Sequence, residues 1–191
     1  MGYIVWDTER IRNTKIYMLA YILLDDEFNI IKNEIIIDSS IDVSKRTQPR
    51  LKVERLKNES LVLSNFNEVA SLMIPLLNSN KSICFGKEDF ISLNDQLKLN
   101  NLAPLEGKYY DIELFIHDNN INMPSNLGAA AKFLKLEHDA HNPLSDSFVT
   151  LEYFKCIIKK YPSEMLLRPI PNKDKVLDII ENGSYELNKK K

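Results

Sequence analysis

Residues 3–37 read YIVWDTERIRNTKIYMLAYILLDDEFNIIKNEIII, and this stretch decides the fold. Its apolar runs, residues 3–6 (YIVW), 16–24 (IYMLAYILL) and 29–37, are rich in β-branched and aromatic side chains, the composition of strands. Asp25, Asp26 and Glu27 place a polar turn between the second run and the third. Connections this short join antiparallel strands, because a parallel return needs a crossover of about a dozen residues or more. The opening therefore predicts a three-stranded antiparallel meander.

Downstream the period changes. Residues 44–58 carry Lys45, Arg46, Arg50, Lys52, Arg55 and Lys57 and predict a long surface excursion. Phe66, Val69, Ala70, Met73 and Leu77 then recur at helical spacing, with Ser64 or Asn65 as N-cap and Pro75 tightening the last turn. A short strand over 82–85 (SICF) precedes a helix opening at Asp89, with Phe90, Leu93 and Leu97 on one face. Tyr109 and Tyr110 predict a strand, residues 112–116 a helix, and Leu127, Ala130, Ala131 and Leu134 the face of another. Asn142-Pro143, a cap followed by a first-turn proline, opens the last long helix. Leu144, Phe148, Leu151 and Ile158 mark its apolar face, with Phe154 or Lys155 between them. Pro162, Pro169 and Pro171 end that pattern, ahead of a short helix expected over 176–180 and a mobile end at 189–191. A meander followed by alternating helices and strands predicts an α/β domain whose mixed five-stranded sheet is flanked by helices.

Composition narrows the function classes. With 191 residues, 44% apolar and 27% charged, the chain is ordinary for one globular domain. A net charge of −2 excludes a generally basic nucleic-acid coat, so any nucleic-acid contact must use a local basic patch. Cys84 and Cys156 lie in apolar runs without a Cys/His cluster of zinc spacing, and read as reduced, buried thiols. No basic leader precedes Asp7, and no run approaches the roughly 20 apolar residues of a membrane span. The expectation is a cytoplasmic protein with no membrane contact.

The informative residues are acids at element ends. Asp7 and Glu9, two apart on the first strand, project from the same face. Asp89 opens a helix after the fourth predicted strand, and Asp146 sits in the first turn of the last long helix, five residues after His141. Singly, each is explained by solvation or by the helix dipole. Together, Trp6-Asp7-Thr8-Glu9, Asp89 and His141-Asn142-Pro143-Leu144-Ser145-Asp146-Ser147 resemble the three motifs of the DEDD-type 3′-5′ exonucleases of the ribonuclease H-like fold. That family includes the proofreading subunits of bacterial replicative polymerases, ribonuclease T and oligoribonuclease. The stretch LGAAAKFLKL at 127–136 is similar to the family's helix before its third motif. Asn142 stands where the tyrosine subtype carries its tyrosine, so the resemblance is to the histidine subtype, DEDDh. The sequence departs from the family in Arg10, in the form GKED of the second motif, where Glu88 rivals Asp89, and in Pro143 and Ser147.

The resemblance implies a three-layer ribonuclease H-like exonuclease domain over residues 1–161. The C-terminal extension over 162–191 lies outside it, and is expected either to serve partner docking or self-association or to pack back on the domain. It implies that Asp7, Glu9, Asp89 and Asp146 converge as ligands of two Mg²⁺ or Mn²⁺ ions, hard cations that relieve the repulsion among four carboxylates. The activity implied is hydrolysis of phosphodiester bonds at the 3′ end of single-stranded DNA or RNA, releasing nucleoside 5′-monophosphates. His141 is then the general base on the attacking water, with His138 as its rival and His117 a surface histidine. Thr8 and Arg10 are candidate substrate-binding residues, with Arg12, Lys15 and the basic stretch 45–57 as further phosphate contacts. The alternative is a catalytically weak or silent module of the same fold that binds nucleic acid or a protein partner.

Overall fold

The computed structural model describes residues 2–11 and 15–171. β1 (Tyr3–Ile11), β2 (Lys15–Leu24) and β3 (Ile30–Asp38) form the expected antiparallel meander, with Asp7 opposite Ala20 and Ile22 opposite Asn33. Next come α1 (Thr47–Leu56), a 3-10 turn at Lys57–Glu59 and β4 (Ser60–Leu63). α2 (Phe66–Ser79), β5 (Lys81–Cys84), α3 (Glu88–Leu99), β6 (Lys108–Asp111) and α4 (Ile112–Asp118) alternate after them. α5 (Leu127–Leu134), α6 (Pro143–Ile158), a 3-10 turn (Ser163–Leu166) and β7 (Leu167–Pro169) complete the described residues. The sheet runs β4-β3-β2-β1-β5-β6-β7, so β1 lies at its centre.

Strand alternation makes the fold three-layered. Ile4 and Trp6 bury themselves against Phe66, Val69 and Met73 of α2 and Phe90 and Leu93 of α3. Val5 faces the other way, into a core with Ala130 and Ala131 of α5 and Val149 and Phe154 of α6. By the same period of two, Thr8 belongs to the α3 side, and Asp7 and Glu9 belong to the α6 side. A register shift between Glu9 and Arg10 leaves Tyr17 as the extra residue on β2, a bulge at the end of the acidic strand.

Two expectations need correction. Among the described residues the sheet has seven strands, not five, because β4 pairs parallel to β3 and β7 antiparallel to β6. Both are short edge strands whose local pattern is weak. The basic excursion contains the helix α1, which keeps Leu56 as its only buried residue; Pro49 is tolerated there because first-turn N–H groups lack helical partners. Of the two readings of the C-terminal segment, residues 163–171 follow the second and pack back on the domain. Leu166 is fully buried, Ile170 N donates to Gly107 O (2.9 Å), and Asn94 Nδ2 donates to Pro171 O (3.1 Å). The helix expected over 176–180 lies outside the described residues. Cys84 is buried, Cys156 half-buried, and both are free thiols. His117 is exposed, as read. Among the described residues no helix is long and apolar enough to cross a membrane.

Candidate active site

The strand pleat and the start of α6 bring three of the four predicted acids together, and the fourth, Asp89, stands on the α3 side of β1. Asp7 and Glu9 project from β1 toward the N-terminus of α6. There Asn142 caps the helix, its side chain accepting from Leu144 N (3.2 Å) and Ser145 N (3.5 Å), and Pro143 occupies the first turn. This holds Asp146 at a fixed height, with its N donating to Asn142 O (2.9 Å). Carboxylate oxygens of Asp7, Glu9 and Asp146 all lie within 4.8 Å of one another.

Asp89 arrives from the opposite face. As the second residue of α3 it is buried, and its Oδ1 accepts from both Thr8 N (3.1 Å) and Thr8 Oγ1 (2.6 Å). The Thr8 side chain is thus committed to fixing Asp89 on β1. Glu88 points away, 61% exposed, beside Arg10 (3.8 Å). Arg10 Nη1 donates to Glu88 O (3.2 Å) and Ser92 Oγ (2.7 Å), joining the strand end to α3.

The electrostatics record the crowding. Burial, then Asp89, Asp146 and Glu9, hold the Asp7 carboxyl well above the usual range. Burial, then Asp146, pushes Glu9 from 4.5 to about 7, against the opposing pull of Lys52. Burial raises Asp89 from 3.8 to about 6 despite its bonds from Thr8. Asp146 is raised by burial too, with the His138 hydrogen bond opposing. A cation among these carboxyls would relieve the crowding, and an all-oxygen donor set suits hard divalent ions.

Two histidines flank the cluster differently. His138, with its side chain 14% exposed, places Nε2 2.5 Å from Asp146 Oδ1. His141, with its side chain 77% exposed, holds Nδ1 3.6 Å from Glu9 Oε1, beyond hydrogen-bond reach. Its backbone is left-handed (φ 63°), a conformation residues with a Cβ adopt sparingly. Sequence reading missed the His138–Asp146 contact, which depends on how residues 137–142 turn back over α6. Lys52 and Arg55 were read only as part of a basic surface stretch, and their bonds to Ala140 O and Asp139 Oδ2 of this loop carry no signal in the sequence. Of the other candidate phosphate contacts, Lys15, Lys45 and Arg46 line a concavity of about 460 Å³ beyond the end of β1. Arg12 lies outside the described residues.

No protein-family model matches the chain, and no curated protein matches its sequence. Solved structures do. An ExoI/SSB-Ct complex superimposes with TM-score 0.60 at 15% identity, covering 86% of this chain and 42% of that one. E. coli exonuclease I in complex with a 5cy-dA13 oligonucleotide gives TM-score 0.60 at 14% identity over the same shares. Exonuclease X in complex with 5′ overhanging duplex DNA gives 0.59 at 13%, covering 86% of this chain and 96% of that one. The chain has a ribonuclease H-like fold. It spans less than half the length of the exonuclease I chains it matches.

Proposed function

We propose that the chain is a metal-dependent 3′-5′ exonuclease that removes nucleoside 5′-monophosphates from the 3′ end of single-stranded DNA or RNA. The observation that carries this is the convergence of Asp7, Glu9 and Asp146 oxygens within 4.8 Å, with Asp89 bonded across the same strand. The fold shared with exonucleases I and X, two of them captured with DNA, supports the same reading.

Asp7, Glu9, Asp89 and Asp146 would hold two Mg²⁺ or Mn²⁺ ions, which supply Lewis acidity and neutralise the charge on the reacting phosphate. The chain's own residues do the rest. Thr8 keeps Asp89 in place, and the Asn142 cap keeps Asp146 in place. His141 takes the proton from the attacking water; its exposed ring stands at the cleft mouth, 3.6 Å from Glu9 and without a hydrogen bond to it. His138 has already committed Nε2 to Asp146.

The test compares 5′-end-labelled single-stranded DNA, single-stranded RNA and duplexes with Mg²⁺, Mn²⁺ or chelator. The expected result is stepwise shortening of the labelled single strands with either ion and none in chelator. Shortening that persists in chelator contradicts the metal assignment. Retained binding with no cleavage under any condition identifies the silent binding module instead. Burial also ranks the two second-motif acids. Asp89→Ala is expected to lower turnover by about 10²-fold or more, and Glu88→Ala by less than about threefold. The opposite order would move the ligand to Glu88.

A further inference from the structure

We infer that α1 is a clamp for the turn that bears His141, with Lys52 and Arg55 as positioning residues; the inference rests on the nuclease reading above. The turn runs from Asp139 to Asn142 and is closed by Asn142 N donating to Asp139 O (3.0 Å). Its third residue, His141, has φ 63°. A four-residue turn with positive φ at that position has a lower-strain alternative, the type I turn, reached by flipping the central peptide. Here the central peptide is Ala140–His141. Flipping it swings the imidazole's backbone and carries the Ala140 carbonyl to the other side of the turn.

Lys52 holds that carbonyl. Its Nζ donates to Ala140 O (2.5 Å), across 88 residues of sequence. Three residues on, on the same face of α1, the Arg55 guanidinium bonds Asp139 Oδ2. On its far side the turn is tied to α6, through Asp139 N donating to Ser145 Oγ (3.0 Å), and within itself through Asn142 Nδ2 donating to Asp139 Oδ2 (3.1 Å). The turn therefore hangs between two helices, and the α1 side supplies the contact that a peptide flip would break. Leu56 and the partly buried Val53 seat α1 against the sheet, and Lys52 and Arg55 reach the turn.

A basic helix beside a nuclease cleft has an obvious competitor role, direct phosphate contact. The two roles separate kinetically. A phosphate contact acts on binding; a clamp acts on the placement of His141, where small displacements slow the chemical step. The experiment uses the full-length Lys52→Met/Arg55→Ala protein beside Lys52→Arg/Arg55→Lys, which keeps both charges. Deuterium uptake over residues 137–146, measured in chelator, reads the turn without reference to activity.

The clamp predicts that exchange of the Asn142 and Asp139 amides rises by about tenfold in the charge-deleted variant and stays near wild type in the charge-conserving one. It predicts that kcat falls by about tenfold, with single-strand Kd in chelator within about twofold. The melting temperature should move by less than about 2 °C, since exposed ion pairs add little to global stability. Unchanged exchange, or a rise in Kd and KM at constant kcat, would overturn the clamp, the latter making α1 a phosphate-contact surface. If the wild-type protein cleaves nothing, the nuclease reading fails by itself, and the exchange measurement still decides whether α1 holds the turn.

Discussion

In chelator at about pH 8, Glu9→Gln is expected to melt about 5 °C or more above the wild-type protein, while losing all turnover. The gain follows from the direction of the Glu9 shift. Burial and Asp146 raise its carboxyl from 4.5 to about 7, so the folded state favours the protonated form. Such a group adds stability below about pH 4.5, and that contribution is lost as pH climbs through about 7. Above that window the ionised Glu9 costs the metal-free fold about 3 kcal/mol, which glutamine does not incur. Asp7 and Asp89 are shifted in the same direction, so the wild-type melting temperature in chelator should fall across this window. The slope should be shallower in Glu9→Gln. Adding Mn²⁺ should restore the wild-type protein and leave the variant less affected, because a bound cation favours the ionised carboxylates. Scanning calorimetry over about pH 4.5–8, with and without the ion, checks all four outcomes. A variant that melts below wild type in chelator at the alkaline end would contradict the account of the cleft.

The other large effect is expected at His141. His141→Ala should turn over about 10²–10⁴-fold more slowly at saturating substrate while still binding single strands. The side chain is exposed and makes no hydrogen bond in the cleft, so its removal costs little in folding. His138→Ala should lose less, through loosening of Asp146 alone, since that ring is spent on the Asp146 carboxylate. Single-turnover rates on end-labelled strands, with Kd measured separately, give the ranking. The reverse order would transfer the proton-accepting role to His138 and discredit the assignment of the third motif.

Much of this was legible in the sequence, for reasons that differ by residue. The meander could be read because β2 is buried along nearly its whole length, and burial leaves a continuous apolar run. Asp7 and Glu9 shared a face by the strand period alone, and Asn142-Pro143 announced α6 through capping chemistry. The elements that escaped, α1, β4 and β7, lie at the margins of the sheet and bury few side chains. Their conformation is set by neighbours more than by local pattern. The roles of His138, Lys52 and Arg55 were invisible for a related reason. Each depends on a turn that brings residues far apart in sequence within hydrogen-bond distance.

The central claim is that these carboxylates, with divalent ions, hydrolyse nucleic acid from its 3′ end. Its most direct test is mass analysis of the products released from single-stranded DNA by wild-type and Asp7→Ala proteins, purified in parallel and assayed with Mg²⁺ and Mn²⁺. The account predicts nucleoside 5′-monophosphates from the wild-type protein, released in order from the 3′ terminus, and none from Asp7→Ala. Undiminished release by Asp7→Ala protein free of contaminating nuclease would contradict it.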